Sequence, residues 1–102
     1  MDDQPAIEHI DRDLEELMER FFSSSLEEVD AMRAALARGD YRTLVRLGHT
    51  AKGTGYGYGF RGMGDIGQAL ETAARAGDAA KCHALVERMA HYLSTVQVEF
   101  ID

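Results

Sequence analysis

The sequence predicts an all-α fold: an antiparallel four-helix bundle, with room for an extra short N-terminal helix. Three observations carry this. Apolar residues recur at three- and four-residue steps along most of the chain, proline occurs once, at Pro5, and no segment reads as the apolar–polar alternation of a half-buried strand. Two Gly-Asp pairs, Gly39-Asp40 and Gly77-Asp78, each set a C-terminal glycine stop beside an aspartate able to cap the next helix.

Before the first corner, Ile7, Ile10, Leu14, Leu17, Met18, Phe21, Phe22, Val29, Met32 and Leu36 form one long amphipathic stripe. Ser23-Ser24-Ser25 followed by Glu27 and Glu28 has the form of a helix start, so this segment reads as one helix or two. The next helix begins at Tyr41, with Leu44, Leu47, Gly48, Ala51, Gly55 and Tyr58 on its inward side. A third covers roughly Gly62 to Ala76, burying Met63, Ile66, Leu70, Ala73 and Ala74. Beyond Gly77-Asp78, the stripe of Cys82, Leu85, Val86, Met89, Leu93, Val96 and Phe100 predicts a last helix running to the C-terminus. Helices of these lengths joined by short corners pack as a bundle.

With 102 residues, 45% of them hydrophobic and 28% charged, the chain suits one domain spanning residues 1–102, with a core too modest to enclose a large active-site cavity. Chemistry is expected on its surface. No apolar run reaches the length of a membrane span, and the acidic opening Met1-Asp2-Asp3 is unlike a signal peptide, so a cytoplasmic location is expected. One cysteine, Cys82, excludes an intramolecular disulfide and a Cys-rich zinc site, and its place on an apolar stripe reads as core. The net charge of −7 argues against nucleic acid or an anionic membrane as partner.

Charge is unevenly distributed. The window from Tyr41 to Gly64 holds Arg42, Arg46, Lys52 and Arg61 and no acidic residue; the other seven basic residues and all eighteen acidic ones lie outside it, a net −11. Within this window, helical geometry turns His49 roughly 150° away from the centre of the inward stripe, toward solvent. Residues three, four and seven positions away share its face: Arg42, Val45, Arg46, Lys52, Gly53 and Tyr56. An exposed neutral imidazole can accept a phosphoryl group on one ring nitrogen while a hydrogen bond orients the other. Lys52, one turn on, can neutralise the phosphoryl oxygens, and Gly53 leaves the approach to the ring open.

The segment Leu47-Gly48-His49-Thr50-Ala51-Lys52-Gly53-Thr54, continuing to Gly59-Phe60, resembles the phosphorylation motif of the histidine-containing phosphotransfer (HPt) family: a small or apolar residue before His-x-x-Lys-Gly, and a Gly ten positions after the His. Met63, Leu70-Glu71, Ala34-Ala35-Leu36 and Gly39-Asp40 extend the resemblance to roughly residues 14–96. It implies a four-helix bundle with His49 as the phosphorylated residue, Lys52 as the cation stabilising the phosphoryl group, Gly53 as the small residue beside the ring and Gly59 as a helix terminator. It also implies a stoichiometric carrier rather than an enzyme. No ATP-binding motif is present and no cofactor is expected; Mg2+ and the acceptor carboxylate would belong to the partner, a receiver domain of a hybrid kinase or response regulator docking over Arg42, Val45, Arg46 and Tyr56.

The sequence departs from the family at Gly53-Thr54-Gly55-Tyr56-Gly57-Tyr58-Gly59, where Ala and Ser are usual. Three interior glycines cost a continuing helix about 3 kcal/mol relative to alanine, so tertiary packing must compensate or the helix frays. A polar contact to the phosphoryl group usual near Gly57 is missing, and the Tyr56 hydroxyl is a candidate replacement. A phosphate-cradling loop is rejected for the glycine run, because no strand precedes it and no Gly-Lys-Ser/Thr closes it; a dimer contact through close-packed glycines has no support in the sequence. His83, Glu87 and His91, at metal-chelating spacing, read as a polar outer face, and no metal site is expected. The rival function is a helical adaptor that binds a signalling partner through the His49 face without moving phosphate.

Overall fold

The computed structural model describes residues 4–102, so the acidic Met1-Asp2-Asp3 start lies outside the described residues. Strand β1 (Ile7–Asp11) leads into a 3-10 helix (Arg12–Leu17), then α1 (Met18–Ala37), α2 (Tyr41–Tyr58), α3 (Arg61–Arg75), α4 (Ala79–Thr95) and strand β2 (Gln97–Ile101). The described residues are mostly helical, and the four α-helices among them form a bundle around one apolar core. None of the helices is long and apolar enough to cross a membrane, among the described residues.

The corners form as their residues dictate. The Asp40 carboxylate accepts from the Thr43 N–H at 3.1 Å and the Thr43 hydroxyl at 2.7 Å, and Asp78 accepts from the Lys81 N–H at 3.1 Å, satisfying N–H groups that the first helical turn leaves unpaired. Between α2 and α3, Gly59 adopts φ 97°, a left-handed conformation costly for any residue with a Cβ. The Phe60 N–H then returns to the Gly55 carbonyl at 2.7 Å, and the Phe60 ring drops into the core, stacked on Phe21 with centroids 4.6 Å apart. Burying one such ring stabilises the fold by roughly 2–3 kcal/mol.

The strands correct the all-α expectation at both ends of the chain. β1 and β2 pair in parallel, Ile7 opposite Gln97 and Asp11 opposite Ile101. Ile7, Glu8 and Ile10 explain why the strand is hidden in the sequence. The inward positions are Glu8 and Ile10, while Ile7 is exposed, so a polar residue points in, an apolar one points out, and Ile7/Ile10 imitates helical spacing. Glu8 points inward because it accepts from the Gly62 N–H at 2.7 Å and the Tyr92 hydroxyl at 2.6 Å, capping α3, whose own N-cap residue Phe60 supplies no side-chain cap. Burial, with the Glu8 hydrogen bond adding to it, pushes the Tyr92 hydroxyl far above its ordinary pKa. Likewise α4 stops at Thr95, and Val98 and Phe100 pack half-buried from β2 rather than from the predicted helix.

Two further expectations resolve. The serine triplet starts no new helix: α1 runs unbroken through it and buries Ser25, while the N-terminal accessory element is the 3-10 helix, capped by the Asp11 side chain on the Asp13 N–H at 2.8 Å. Gly48 and Gly55 of α2 and Gly64 and Gly67 of α3 are spent on close packing within the chain. A Cβ added at Gly55 would stand 2.5 Å from the Gly64 backbone nitrogen, and one at Gly48 would stand 2.9 Å from that of Glu71. Backbone atoms cannot swing aside, so these helices meet closely only through glycine, and that contact compensates the helix propensity lost.

Candidate functional site

His49 lies in the middle of α2, with its side chain 68% exposed, on the face opposite the buried Leu44, Leu47, Gly48, Ala51 and Gly55. The close approach of α2 and α3 decides what it touches. Gly48 faces Glu71, and a Cβ at Gly67 would stand 2.6 Å from the Lys52 backbone nitrogen, so α3 lies directly beneath this turn of α2. From α3 the Glu71 side chain, 11% exposed, reaches across to His49: Nδ1 is 3.3 Å from Oε2 and 3.4 Å from Oε1, long for a charge-assisted hydrogen bond.

A carboxylate can only accept, so this contact requires the proton on Nδ1 and leaves Nε2 with its lone pair when the ring is neutral. Among the described residues Nε2 has no partner. In that tautomer the outer nitrogen of this exposed side chain has its lone pair available.

Glu71 is the hub of a small charged cluster. Arg75 Nη2 donates to Oε2 at 2.8 Å, and Lys52 Nζ stands 3.7 Å from Oε1. The Arg75 guanidinium, foremost, holds the Glu71 carboxyl below the ordinary carboxylate range; the His49 hydrogen bond and the Lys52 charge act in the same direction, against partial burial. Neither Glu71 nor Arg75 was assigned a role from sequence, although Leu70-Glu71 belongs to the motif resemblance. Their signal was a carboxylate at the edge of the inward stripe of α3 with an arginine four residues on, a pattern that also describes an ordinary surface ion pair.

The remaining predicted residues divide. Lys52 is half-buried beside His49, and Gly53 is exposed, with nothing within 4 Å of a Cβ built on it. Arg42 and Arg46 are exposed, whereas Val45 packs half-buried against the core and presents less surface than its helical position suggested. The Tyr56 ring lies against Gly64 and its hydroxyl donates to Asp65 at 2.5 Å, so that hydroxyl is committed to Asp65, not available to a phosphoryl group. Asp65 and Glu71 from α3, with half-buried Glu28 from α1 near Arg46, place carboxylates around a window of sequence that contains none. At the other face, both Glu87 oxygens are taken by Arg33 at 2.9 Å, and no group of three potential metal ligands occurs among the described residues.

A protein-family model described as the Hpt domain matches residues 16–99. The match spans all four helices, His49, Lys52, Gly53 and Glu71, and begins after β1. No curated protein and no solved structure matches the chain.

Proposed function

The chain belongs to the Hpt domain family, whose members carry phosphoryl groups in phosphorelays, interact with receiver domains and have no ATP site of their own, and from that premise we propose that it shuttles a phosphoryl group on His49 between aspartates of receiver domains. The observation that carries this reading is the setting of the His49 ring. Its side chain is 68% exposed, and its Nδ1 stands 3.3 Å from the Glu71 carboxylate, a contact that favours the proton on Nδ1 and leaves the Nε2 lone pair available.

In the proposed transfer, Nε2 attacks the phosphorus of an aspartyl phosphate in line. The P–Nε2 bond forms, the bond from phosphorus to the aspartate oxygen breaks, and the aspartate leaves as a carboxylate. A ring protonated on Nδ1 and phosphorylated on Nε2 carries positive charge, which the Glu71 carboxylate stabilises. Lys52 meets the phosphoryl oxygens, and Gly53 keeps the approach open. Mg2+, needed to neutralise charge on the aspartyl side, is assigned to the receiver. The receiver would cover Arg42, Arg46, Tyr56 and the exposed edge of Val45 in a small, transient interface. We read the helices as antiparallel, since corners of two or three residues turn the chain back each time, and the setting as cytoplasmic.

The test is phosphotransfer from a panel of phosphorylated receiver domains to wild type, His49→Gln and Lys52→Ala. Label on wild type that is absent from His49→Gln and reduced in Lys52→Ala supports the carrier. No label from any receiver on folded protein favours the adaptor.

A further inference from the structure

Arg75 makes no hydrogen bond or ion pair with His49 or Lys52 among the described residues, yet it makes the shortest contact in the cluster. Glu71 has three partners: Arg75 at 2.8 Å, His49 at 3.3 Å and Lys52 at 3.7 Å. Among the described residues, no other carboxylate lies within ion-pair distance of Lys52. Glu71 is therefore the one group there that competes with an arriving phosphoryl group for the lysine, and how firmly it holds Lys52 depends on what else neutralises it.

We propose that Arg75 is a positioning residue that acts through Glu71: by satisfying the carboxylate, it leaves Lys52 loosely held and free to turn to the phosphoryl oxygens. The inference rests on His49 as the phosphoryl acceptor. Arg75 holds Oε2 at 2.8 Å, His49 Nδ1 lies against both oxygens at 3.3 and 3.4 Å, and Lys52 stands 3.7 Å from Oε1, beyond hydrogen-bond distance. Without Arg75, Lys52 becomes the sole full cation beside Glu71, and the attraction draws it toward the carboxylate and away from the ring's outer nitrogen. Arg75 is 66% exposed and Lys52 34% exposed, so solvent screens the effect and its expected size is modest.

The experiment uses the whole chain and phosphoramidate, a small donor that needs no receiver. His49 Nε2 attacks phosphorus, the P–N bond breaks, and ammonia leaves with the protons already on its nitrogen. Arg75→Gln should slow labelling about threefold, and Arg75→Lys, which keeps the charge, should restore most of the rate. Lys52→Ala should slow wild type clearly but add less than about twofold in the Arg75→Gln background. In Glu71→Gln/Arg75→Gln, where no carboxylate competes, the dependence on Lys52 should return. That double variant also serves as the decisive comparison if Arg75→Gln alone folds poorly.

The same fold loss from Lys52→Ala in both backgrounds, or a wild-type rate in Arg75→Gln, overturns the inference. Labelling of wild type by phosphoramidate but by no receiver overturns the relay reading and leaves these ratios to decide the role of Arg75. No labelling of wild type by either donor overturns both.

Discussion

Glu71 Oε2 lies 3.3 Å from His49 Nδ1, across a helix–helix contact that only glycines at positions 48 and 67 make narrow enough for one glutamate to span. On this relationship the orientation of the imidazole depends. Glu71→Leu removes the acceptor and should lower the initial rate of phosphotransfer at least about tenfold. Glu71→Gln keeps an oxygen that can accept from Nδ1–H and should lose much less. Stopped-time labelling from one receiver, with nitrogen NMR of the ring to read which nitrogen is protonated, checks both.

Glycines in α2 should answer to alanine in opposite ways. A Cβ at Gly57 meets nothing within 4 Å, so Gly57→Ala should stabilise the protein by about 0.5–1 kcal/mol through helix propensity. At Gly55 the same Cβ would drive into the Gly64 backbone, and Gly55→Ala should destabilise by about 1–3 kcal/mol. Gly53 separates fold from function: Gly53→Ala should stabilise like Gly57→Ala yet slow transfer, because the added methyl stands on the face where a partner approaches the ring. Urea denaturation and labelling rates on the same samples read both effects.

The buried Glu8 joins the N-terminal strand to the bundle. Glu8→Ala leaves the Gly62 N–H and the Tyr92 hydroxyl without their acceptor and should cost about 2–3 kcal/mol. Tyr92→Phe, which leaves Glu8 its Gly62 contact, should cost less, about 1 kcal/mol. In a double variant the two losses should fall short of additive, since they share one carboxylate; urea midpoints of the four proteins decide it.

What the sequence made legible, and what it hid, follows from where each signal lies. Helical stripes placed α3 close to its observed bounds and picked out the buried face of α2, because Met63, Ile66 and Leu70, and Leu44, Leu47 and Ala51, keep one period through a single continuous face. Gly39-Asp40 and Gly77-Asp78 announced their corners because stop and cap are local chemistry. The strands stayed hidden because a parallel pair joins the two ends of the chain, with all four helices between them, and because Glu8 occupies an inward position for a partner on α4. At the site, the exposure of His49 and the neighbouring Lys52 and Gly53 were readable from one helix. Glu71 and Arg75 were not, since Arg75 reaches the site only through Glu71, and the contact of Glu71 with His49 depends on how closely α3 approaches α2. That distance is set by glycines which, in sequence, look like a weakness of the helix.

Acid should weaken the fold through its paired carboxylates. Glu71, held below its ordinary value chiefly by Arg75, Glu87, held down chiefly by Arg33, and Asp40, held down chiefly by Thr43, are all depressed in the folded state. Each contributes stability that is fully present above its unfolded value, 4.5 for the glutamates and 3.8 for the aspartate, and is lost as pH falls through the lower folded value. Glu28, raised chiefly by burial, acts in the opposite sense. The urea midpoint should therefore drop as pH falls from about 5 to about 3, and drop less in Arg33→Gln/Glu87→Gln, which removes one of the pairs.

Phosphorus–nitrogen NMR on protein labelled at its histidines, after transfer from a receiver, locates the phosphate. A single acid-labile phosphoryl group is expected on Nε2 of His49, with the proton retained on Nδ1 toward Glu71. Phosphate on Nδ1, on another of the histidines, or on no histidine at all would contradict that assignment.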